Sequence, residues 1–161
     1  MKLSKQRGKT YLFWIALTEA VGALAALLTR EAAAIYRTVL IKPPLSPPAI
    51  VFPVVWVILY ALMGASAARI ALTPPSAART TALRLYLLQL AVNFFWSILF
   101  FNFQAYGLAF VWLVILWTLI VRMALSFREL DRTAAALLVP YLLWVLFAGY
   151  LNYGVWMLNR F

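Results

Sequence analysis

Long apolar runs, separated by short charged or proline-rich segments, organise the chain. Three of these runs, 11–29, 50–72 and 134–158, are each long enough for one membrane-spanning helix. The central run, Leu85 to Val121, has 37 residues. As one helix it would be about 55 Å long, whereas a bilayer core is only about 30 Å thick. The pattern therefore predicts two helices here, joined at "NFQAYG" (102–107), where Asn, Gln and Gly favour a break.

Composition supports a membrane location for these segments. Hydrophobic residues make up 66% of the 161 residues, and the mean hydropathy is +0.93. A soluble domain of this size could not hide so much apolar surface. We therefore predict an all-α integral membrane protein with one domain over 1–161, a five-transmembrane-helix bundle. The predicted spans are 11–29, 50–72, 84–102, 106–125 and 134–158, and a loop (30–49) joins the first two.

Local signals refine the ends of these spans. The basic start "MKLSKQRGKT" precedes an apolar stretch long enough to cross a membrane, which favours a retained first helix over a cleaved signal peptide. Asp131 or Thr133 is expected to cap the fifth helix, and Pro140 to kink it.

Basic residues are distributed unequally between the two ends of the predicted helices. Ten of them fall on one side: Lys2, Lys5, Arg7, Lys9, Arg69, Arg79, Arg84, Arg122, Arg128 and Arg132. The other side has Arg30, Arg37, Lys42 and Arg160. The positive-inside rule then predicts a cytoplasmic N-terminus, with the loop 30–49 outside. We interpret the net charge of +10 as a topology signal facing anionic lipid, so no nucleic acid partner is expected.

The absence of histidine and cysteine excludes several kinds of chemistry. Disulfides, thiolate or imidazole metal sites, and Ser-His-Asp or Cys-His catalytic units cannot form. We expect no metal and no cofactor. Glu19 is the one acid clearly inside a span, and it could relay protons or be a protonated group hydrogen-bonded between helices. The second interpretation is favoured, because no other acid, histidine or lysine lies inside a span to exchange the proton.

Polar and aromatic side chains recur at helical spacing in three spans. In the third span a polar face comprises Gln89, Asn93, Trp96 and Ser97. It could be hydrogen-bonding contacts between helices or the polar floor of a cavity. The second and fifth spans carry i+4 stripes with Phe52, Trp56, Tyr60, Trp144, Ala148, Asn152 and Trp156. Trp56 and Trp144 lie too deep for an interfacial belt, which suggests a flat, mostly apolar pocket with a few polar anchors.

Three motifs resemble one known family. "KPPLSPPAIVFPVVWVILYALMGASA", "QLAVNFFWSILFF" and "PYLLWVLFAGYLNYGVW" are similar, in this order, to the tryptophan-rich sensory protein (TspO/MBR) family, whose animal members are the translocator proteins. The resemblance implies a five-helix bundle, commonly a homodimer, with a cavity that the first loop closes. It also implies binding of porphyrins, sterols and synthetic benzodiazepine-type ligands. The residues that match the family's pocket are Trp56, Asn93, Trp96, Trp144 and Ala148, and Tyr60 and Asn152 join them from the stripes.

The proline-rich segment is then expected to be the lid of that cavity. The prolines and the lysine before them are Lys42, Pro43, Pro44, Pro47 and Pro48. Proline fixes φ and restricts the residue before it, so the lid should be stiff and extended and should lose little entropy on closing. Leu45 and Ile50 stand where family members usually carry aromatic residues, which predicts weaker or different porphyrin stacking at the lid.

Together these features predict a binding protein for porphyrins and related apolar molecules in a bacterial membrane, acting as a sensor, regulator or transporter-like protein. Strong axial ligands for haem iron are missing, so a metal-free porphyrin such as protoporphyrin IX is expected, with its propionates near Lys42 and the loop arginines. Two alternatives stay open. One is a slow light- and oxygen-dependent porphyrin-degrading enzyme that uses the oxidisable Trp56 and Trp144. The other is a structural partner of another membrane complex.

Overall fold

The computed structural model describes residues 2–160, and the side chains of residues 5–160. Helices account for all the regular secondary structure of this part of the chain. They are α1 (Lys2–Thr29), α2 (Ala32–Thr38), α3 (Val51–Ala71), α4 (Ala77–Ser97), α5 (Tyr106–Leu130), α6 (Arg132–Leu137) and α7 (Val139–Leu158). Five helical segments are long and apolar enough to cross a membrane, with α6 and α7 together forming the last. The predicted five-helix bundle is confirmed.

Several helices extend beyond the predicted apolar spans. The third span was expected from residue 84, but α4 begins at Ala77, because the Ser76 hydroxyl accepts a hydrogen bond from the Arg79 N–H (3.1 Å) and caps the helix. Likewise α5 continues to Leu130 rather than to 125. Hydropathy marks only the lipid-facing length of a helix, whereas polar turns at its ends are stable in water.

The break inside the long central run lies where it was predicted. After Ser97, α4 widens into a π-helical turn (Ile98–Asn102), in which the Phe103 N–H donates to the Ile98 carbonyl over 3.1 Å. Gln104 then adopts a left-handed backbone (φ 52°) and reverses the chain toward α5. This turn places the end of α4 beside the loop that joins α1 and α3.

The loop 30–49 is partly helical, which the sequence did not predict. α2 occupies most of its first half, so residues 30–31 and 39–50 are the non-helical parts between α1 and α3. Leu45, between the two proline pairs, has φ 65°, which makes a tight turn there rather than a fully extended lid. The Val51 N–H donates to the Pro48 carbonyl (2.9 Å) and leads directly into α3. Residues 39–50 are called the lid below.

Pro140 lies just after the break between α6 and α7, close to where a kink in the fifth span was expected. It is the second residue of α7, where its missing N–H leaves no bond unmade. The chain bends at Leu138, whose N–H turns back to the Ala135 carbonyl (3.1 Å). At the start of α6, Asp131 is the capping residue, as expected, and its carboxylate accepts from the Ala134 N–H at 3.0 Å.

Close approach of α1 and α3 holds one side of the bundle together. At Gly64 an added Cβ would lie 2.5 Å from the Ile15 Cα, so only glycine lets these backbones pack so closely. On the other side α5 packs against α4, α6 and α7. The largest fully buried side chains include Tyr86, Tyr141, Phe127 and Met63, which fill the half of the bundle far from the lid.

A clamp of polar contacts fastens α3 to α6 at the end of the bundle opposite the lid. The Arg69 guanidinium donates to the Asp131 carboxylate (Nε–Oδ2 2.9 Å, NH2–Oδ2 2.8 Å), and the Ser66 hydroxyl donates to the Ala134 carbonyl at 2.7 Å. Burial alone would raise the pKa of Asp131, but the Ala134 N–H and the Arg69 charge outweigh it and lower the pKa. Asp131 is therefore held as a carboxylate.

Candidate functional site

A cavity of about 510 Å³ occupies the half of the bundle nearest the lid. It lies between α1, α2, α3, the end of α4 and α7, and α5 lies outside its wall. Seven aromatic side chains line it: Tyr36, Phe52, Trp56, Tyr60, Trp96, Phe100 and Phe101. Its size and its mostly apolar lining are typical of sites for drug-sized organic molecules.

Two aromatic pairs form opposite faces of this wall. On α3, Trp56 stacks on Tyr60 with ring centroids 5.3 Å apart and planes 30° apart. Trp96, at the end of α4, stacks on Phe100 of the π-helical turn at 5.3 Å and 29°. The i+4 spacing of each pair on its helix produces this stacking. The π-helical turn after Ser97 brings Phe101 into the wall as well.

Asn152 holds the Trp96 indole in place. Its side-chain oxygen accepts a hydrogen bond from Trp96 Nε1 (3.1 Å), and its amide nitrogen donates to the Tyr106 carbonyl (2.8 Å). Both polar ends of this buried amide are therefore satisfied, which fixes the indole against rotation. Ala148 lies one turn earlier on α7 and leaves space in the wall.

Small residues make the α1 side of the cavity smooth. Gly22, Ala23 and Ala26 line it, with Glu19 at one end of this face and Arg30 at the other. At Gly22 an added Cβ would lie 2.2 Å from the Tyr60 ring, so the ring covers this glycine. The expected interhelical hydrogen bond of Glu19 is absent among the side chains that the structure describes; its carboxyl lines the cavity instead.

Two of the predicted site residues lie behind the wall. Asn93 is 1% exposed and donates to the Tyr141 hydroxyl (2.9 Å), which donates to Gln89 (2.9 Å). Asn93 and Gln89 therefore make hydrogen bonds between helices and do not form the floor of the cavity. Trp144 does not line the cavity, and its ring packs edge-on against Phe52 at 6.0 Å. Trp56, Tyr60, Trp96, Ala148 and Asn152 do line it.

The lid is held against α7 rather than inserted into the cavity. Pro43 packs against Gly154, where an added Cβ would lie 2.5 Å from the Pro43 Cβ, and the Tyr150 hydroxyl donates to the Pro44 carbonyl at 2.8 Å. Pro47 and Pro48 lead into α3. Lys42, Pro43, Pro44, Pro47 and Pro48 are not among the lining residues, but Ala49 is.

The cations nearest the cavity are arginines. Arg30 and Arg37 line it, whereas the Lys42 ammonium donates to the Arg37 carbonyl (3.0 Å) and lies 5.5 Å from the centre of the Tyr36 ring. An anionic group on a ligand would therefore meet guanidinium groups, which bind carboxylates through two parallel hydrogen bonds.

The sequence did not predict that α2 and the π-helical turn would line the cavity. Tyr36 and Arg37 lie in a segment that reads as a polar loop, and their signal was the short apolar stretch "AAAIY" before Arg37. Phe100 continues the i+4 stripe from Trp96 and could have been found by extending it. Burial raises the pKa of the Tyr36 hydroxyl, and a hydrogen bond with Ser46 acts in the opposite direction.

Comparison with known proteins identifies the family. The model of the TspO/MBR family matches residues 14–157. The chain is 38% identical over 151 residues to the tryptophan-rich protein TspO of Chlorobaculum tepidum, covering 93% of this chain and 96% of that one. It is 38% identical over 121 residues to the translocator protein of Ovis aries (74% and 72% covered), and 36% over 118 residues to the tryptophan-rich sensory protein of Cereibacter sphaeroides (73% of each).

The matched region extends from α1 to the last turn of α7 and so includes every helix that lines the cavity. The motifs that suggested the resemblance lie within it. The chain belongs to the TspO/MBR family and is an integral, multi-pass membrane protein.

Proposed function

We propose that this protein binds porphyrins and related apolar molecules within the membrane and acts as a sensor, regulator or transporter-like protein. The observation that carries the proposal is the cavity of about 510 Å³, with aromatic pairs on α3 and α4 and two arginines in its wall. Names of relatives, such as "tryptophan-rich sensory protein" and "translocator protein", support a sensory or transport-related role.

The wall chemistry matches a flat acidic macrocycle. Trp56 and Trp96 offer large apolar ring surfaces, and each buried ring contact contributes on the order of 1–3 kcal/mol. Arg30 and Arg37 are placed to pair with the propionates. No histidine or cysteine is present to ligate iron, so the metal-free ring should bind at least as tightly as haem.

Titration of the purified protein tests this proposal. Quenching of tryptophan fluorescence should saturate with protoporphyrin IX, should be no stronger with haem, and should be weak with cholesterol. Absence of saturable quenching by protoporphyrin IX would refute the proposal. It would also favour the alternative role as a structural partner of another complex.

Illumination separates a binding protein from an enzyme. Trp56 lines the cavity, whereas Trp144 packs behind Phe52, so only one of the two oxidisable indoles faces a ligand directly. If the protein only binds porphyrin, the porphyrin absorption spectrum should stay constant in the dark. In the light it should change no faster with wild-type protein than with the Trp56→Phe variant. Faster loss of porphyrin that depends on Trp56 would support the enzyme alternative.

Orientation and assembly are part of the same proposal. The charge difference between the two ends, ten basic residues against four, favours a cytoplasmic N-terminus in a bacterial membrane. The family resemblance favours a homodimer. A reporter fused after Phe161 should be active only if it functions outside the cytoplasm, and activity of a cytoplasm-only reporter there would contradict the orientation. Crosslinking in native membranes should trap a dimer.

A further inference from the structure

We propose that Glu19 is a specificity-determining residue of the cavity, which accepts a hydrogen bond from an amine or hydroxyl group on an otherwise apolar ligand. This inference rests on the proposed binding function and adds a second polar recognition point to it. Three charged side chains line the cavity, and they are Glu19, Arg30 and Arg37. Glu19 is the one acid among them.

The spacing along α1 separates Glu19 from the arginines. Arg30 directly follows the last residue of α1 and is eleven residues after Glu19, which corresponds to about 16 Å along the helix axis. Between them the cavity face of α1 carries only the small side chains of Gly22, Ala23 and Ala26 and of their neighbours Ala25 and Thr29. A rigid apolar molecule can therefore lie along α1 with one end at each charged group.

The surroundings of Glu19 leave its carboxyl available. Its side chain is half-buried and makes no hydrogen bond or ion pair within the part of the chain that the structure describes. Tyr60 lines the cavity from α3, and its ring lies over Gly22, one turn from Glu19. The sequence predicts a protonated carboxyl here, and a cationic amine beside it would favour its ionised form, which only accepts hydrogen bonds.

A ligand donor would satisfy this carboxyl. Hydrogen bonds to charged groups stabilise a complex more than neutral ones do, so an amine or hydroxyl at this end should gain about ten- to hundredfold in affinity. The two ends of the cavity therefore select an orientation, with acids toward Arg30 and Arg37 and donors toward Glu19.

A matched series of pyrene probes tests Glu19 directly. Pyrene, 1-pyrenemethanol, 1-pyrenemethylamine and 1-pyrenecarboxylic acid share one flat ring and differ in a single polar group. Binding is followed in protein-containing nanodiscs by energy transfer from tryptophan, after subtraction of empty nanodiscs. Wild-type protein should bind the amine and the alcohol at least tenfold more tightly than pyrene. In Glu19→Leu this preference should disappear while pyrene affinity changes by less than about threefold.

Matched variants keep the test decisive if one protein is unstable. Glu19→Gln keeps the shape and the acceptor oxygen, so it should retain the preference for the alcohol and lose most of that for the amine. Glu129→Gln removes an exposed acid at the far end of α5 and should behave as wild type. Thermal unfolding in detergent shows whether each variant is folded. If Glu19→Leu is misfolded, the comparison of Glu19→Gln with wild-type protein decides.

The outcomes distinguish the two proposals. An unchanged amine and alcohol preference in the folded Glu19 variants, or no preference in wild type, would overturn the role of Glu19 and leave the cavity as a porphyrin site. Failure of wild-type protein to bind either pyrene or protoporphyrin IX would overturn the proposed function, and the role of Glu19 with it.

Discussion

The side-chain amide of Asn159 pairs with both backbone groups of Ile41. Its oxygen accepts from the Ile41 N–H (3.0 Å), and its nitrogen donates to the Ile41 carbonyl (2.9 Å). This reciprocal pair ties the residue after α7 to the start of the lid, two residues before Pro43. Two hydrogen bonds from one side chain therefore connect the end of α7 to the start of the lid.

Replacing Asn159 should loosen the lid without unfolding the bundle. Asn159→Ala removes both bonds, which together contribute about 1–2 kcal/mol at a partly exposed site. Hydrogen exchange of the backbone amides over 39–50 should accelerate about 5–30-fold, and protoporphyrin IX should dissociate faster. Thr118→Ala, which removes an exposed hydroxyl on α5 that bonds the Val114 carbonyl, is the control. Equal exchange over 39–50 in both variants would contradict a role of Asn159 in holding the lid.

Two glycines of α7 should respond oppositely to the same substitution. An alanine Cβ at Gly154 would lie 2.5 Å from the rigid Pro43 ring, whereas one at Gly149 meets only Leu113 Cδ2 at 3.7 Å. Gly154→Ala should displace the lid and raise exchange over 39–50. Gly149→Ala should leave the lid intact and raise the melting temperature slightly, because alanine favours helix by up to about 1 kcal/mol. Similar lid exchange in the two variants would show that Pro43 does not depend on this contact.

The tryptophans of the wall should matter more for binding than those outside it. Trp56→Phe and Trp96→Phe keep a ring but lose area, so each should weaken protoporphyrin IX binding about 3–30-fold, or roughly 0.7–2 kcal/mol. Trp144→Phe was predicted from the family match to act similarly. From its place behind Phe52 we expect a smaller effect, transmitted through that ring.

Two tryptophans of α5 are matched controls for this series. The Trp112 and Trp117 indoles donate to backbone carbonyls of Val92 and Leu142 and do not line the cavity. Their Phe variants should bind porphyrin as wild type does. If they weaken binding as much as Trp56→Phe, the assignment of the wall is wrong.

The clamp between Arg69 and Asp131 should make the folded protein less stable at acidic pH. The pKa of Asp131 is lower in the folded protein than in the unfolded chain, so its contribution is complete above about pH 5 and is lost as pH falls through the lowered value. Asp131→Asn should reduce the melting temperature in detergent by roughly 2–6 °C at pH 7.

The same comparison at low pH tests whether the charge of the Asp131 carboxylate causes the stabilisation. As the pH falls below the lowered pKa of Asp131, the difference between Asp131→Asn and wild type should shrink, because the wild-type carboxylate becomes protonated. Glu129→Gln, which removes an exposed acid on the same end of the bundle, should show little difference at either pH. A pH-independent difference for Asp131→Asn would assign the effect to helix capping alone.

The sequence by itself determined the number of membrane helices and the break in the central run. Hydrophobic length decides these features, because lipid demands a continuous hydrogen-bonded helix of about 20 apolar residues. The capping role of Asp131 also follows from a local signal, namely capping chemistry. The positions of Trp56, Tyr60 and Trp96 in the wall were predicted from the helical spacing of aromatic residues together with the family resemblance.

Only the tertiary structure decided which polar and aromatic residues face the cavity. Asn93 and Trp96 lie on nearly the same face of α4, yet one bonds Tyr141 behind the wall and the other lines the cavity, because the neighbouring helices determine what each meets. The role of α2, the contact of Pro43 with Gly154 and the open position of Glu19 arise from packing between segments far apart in the chain. Helical periodicity gives the direction in which a side chain points from the helix axis. It contains no information about which neighbouring helix or cavity the side chain then meets.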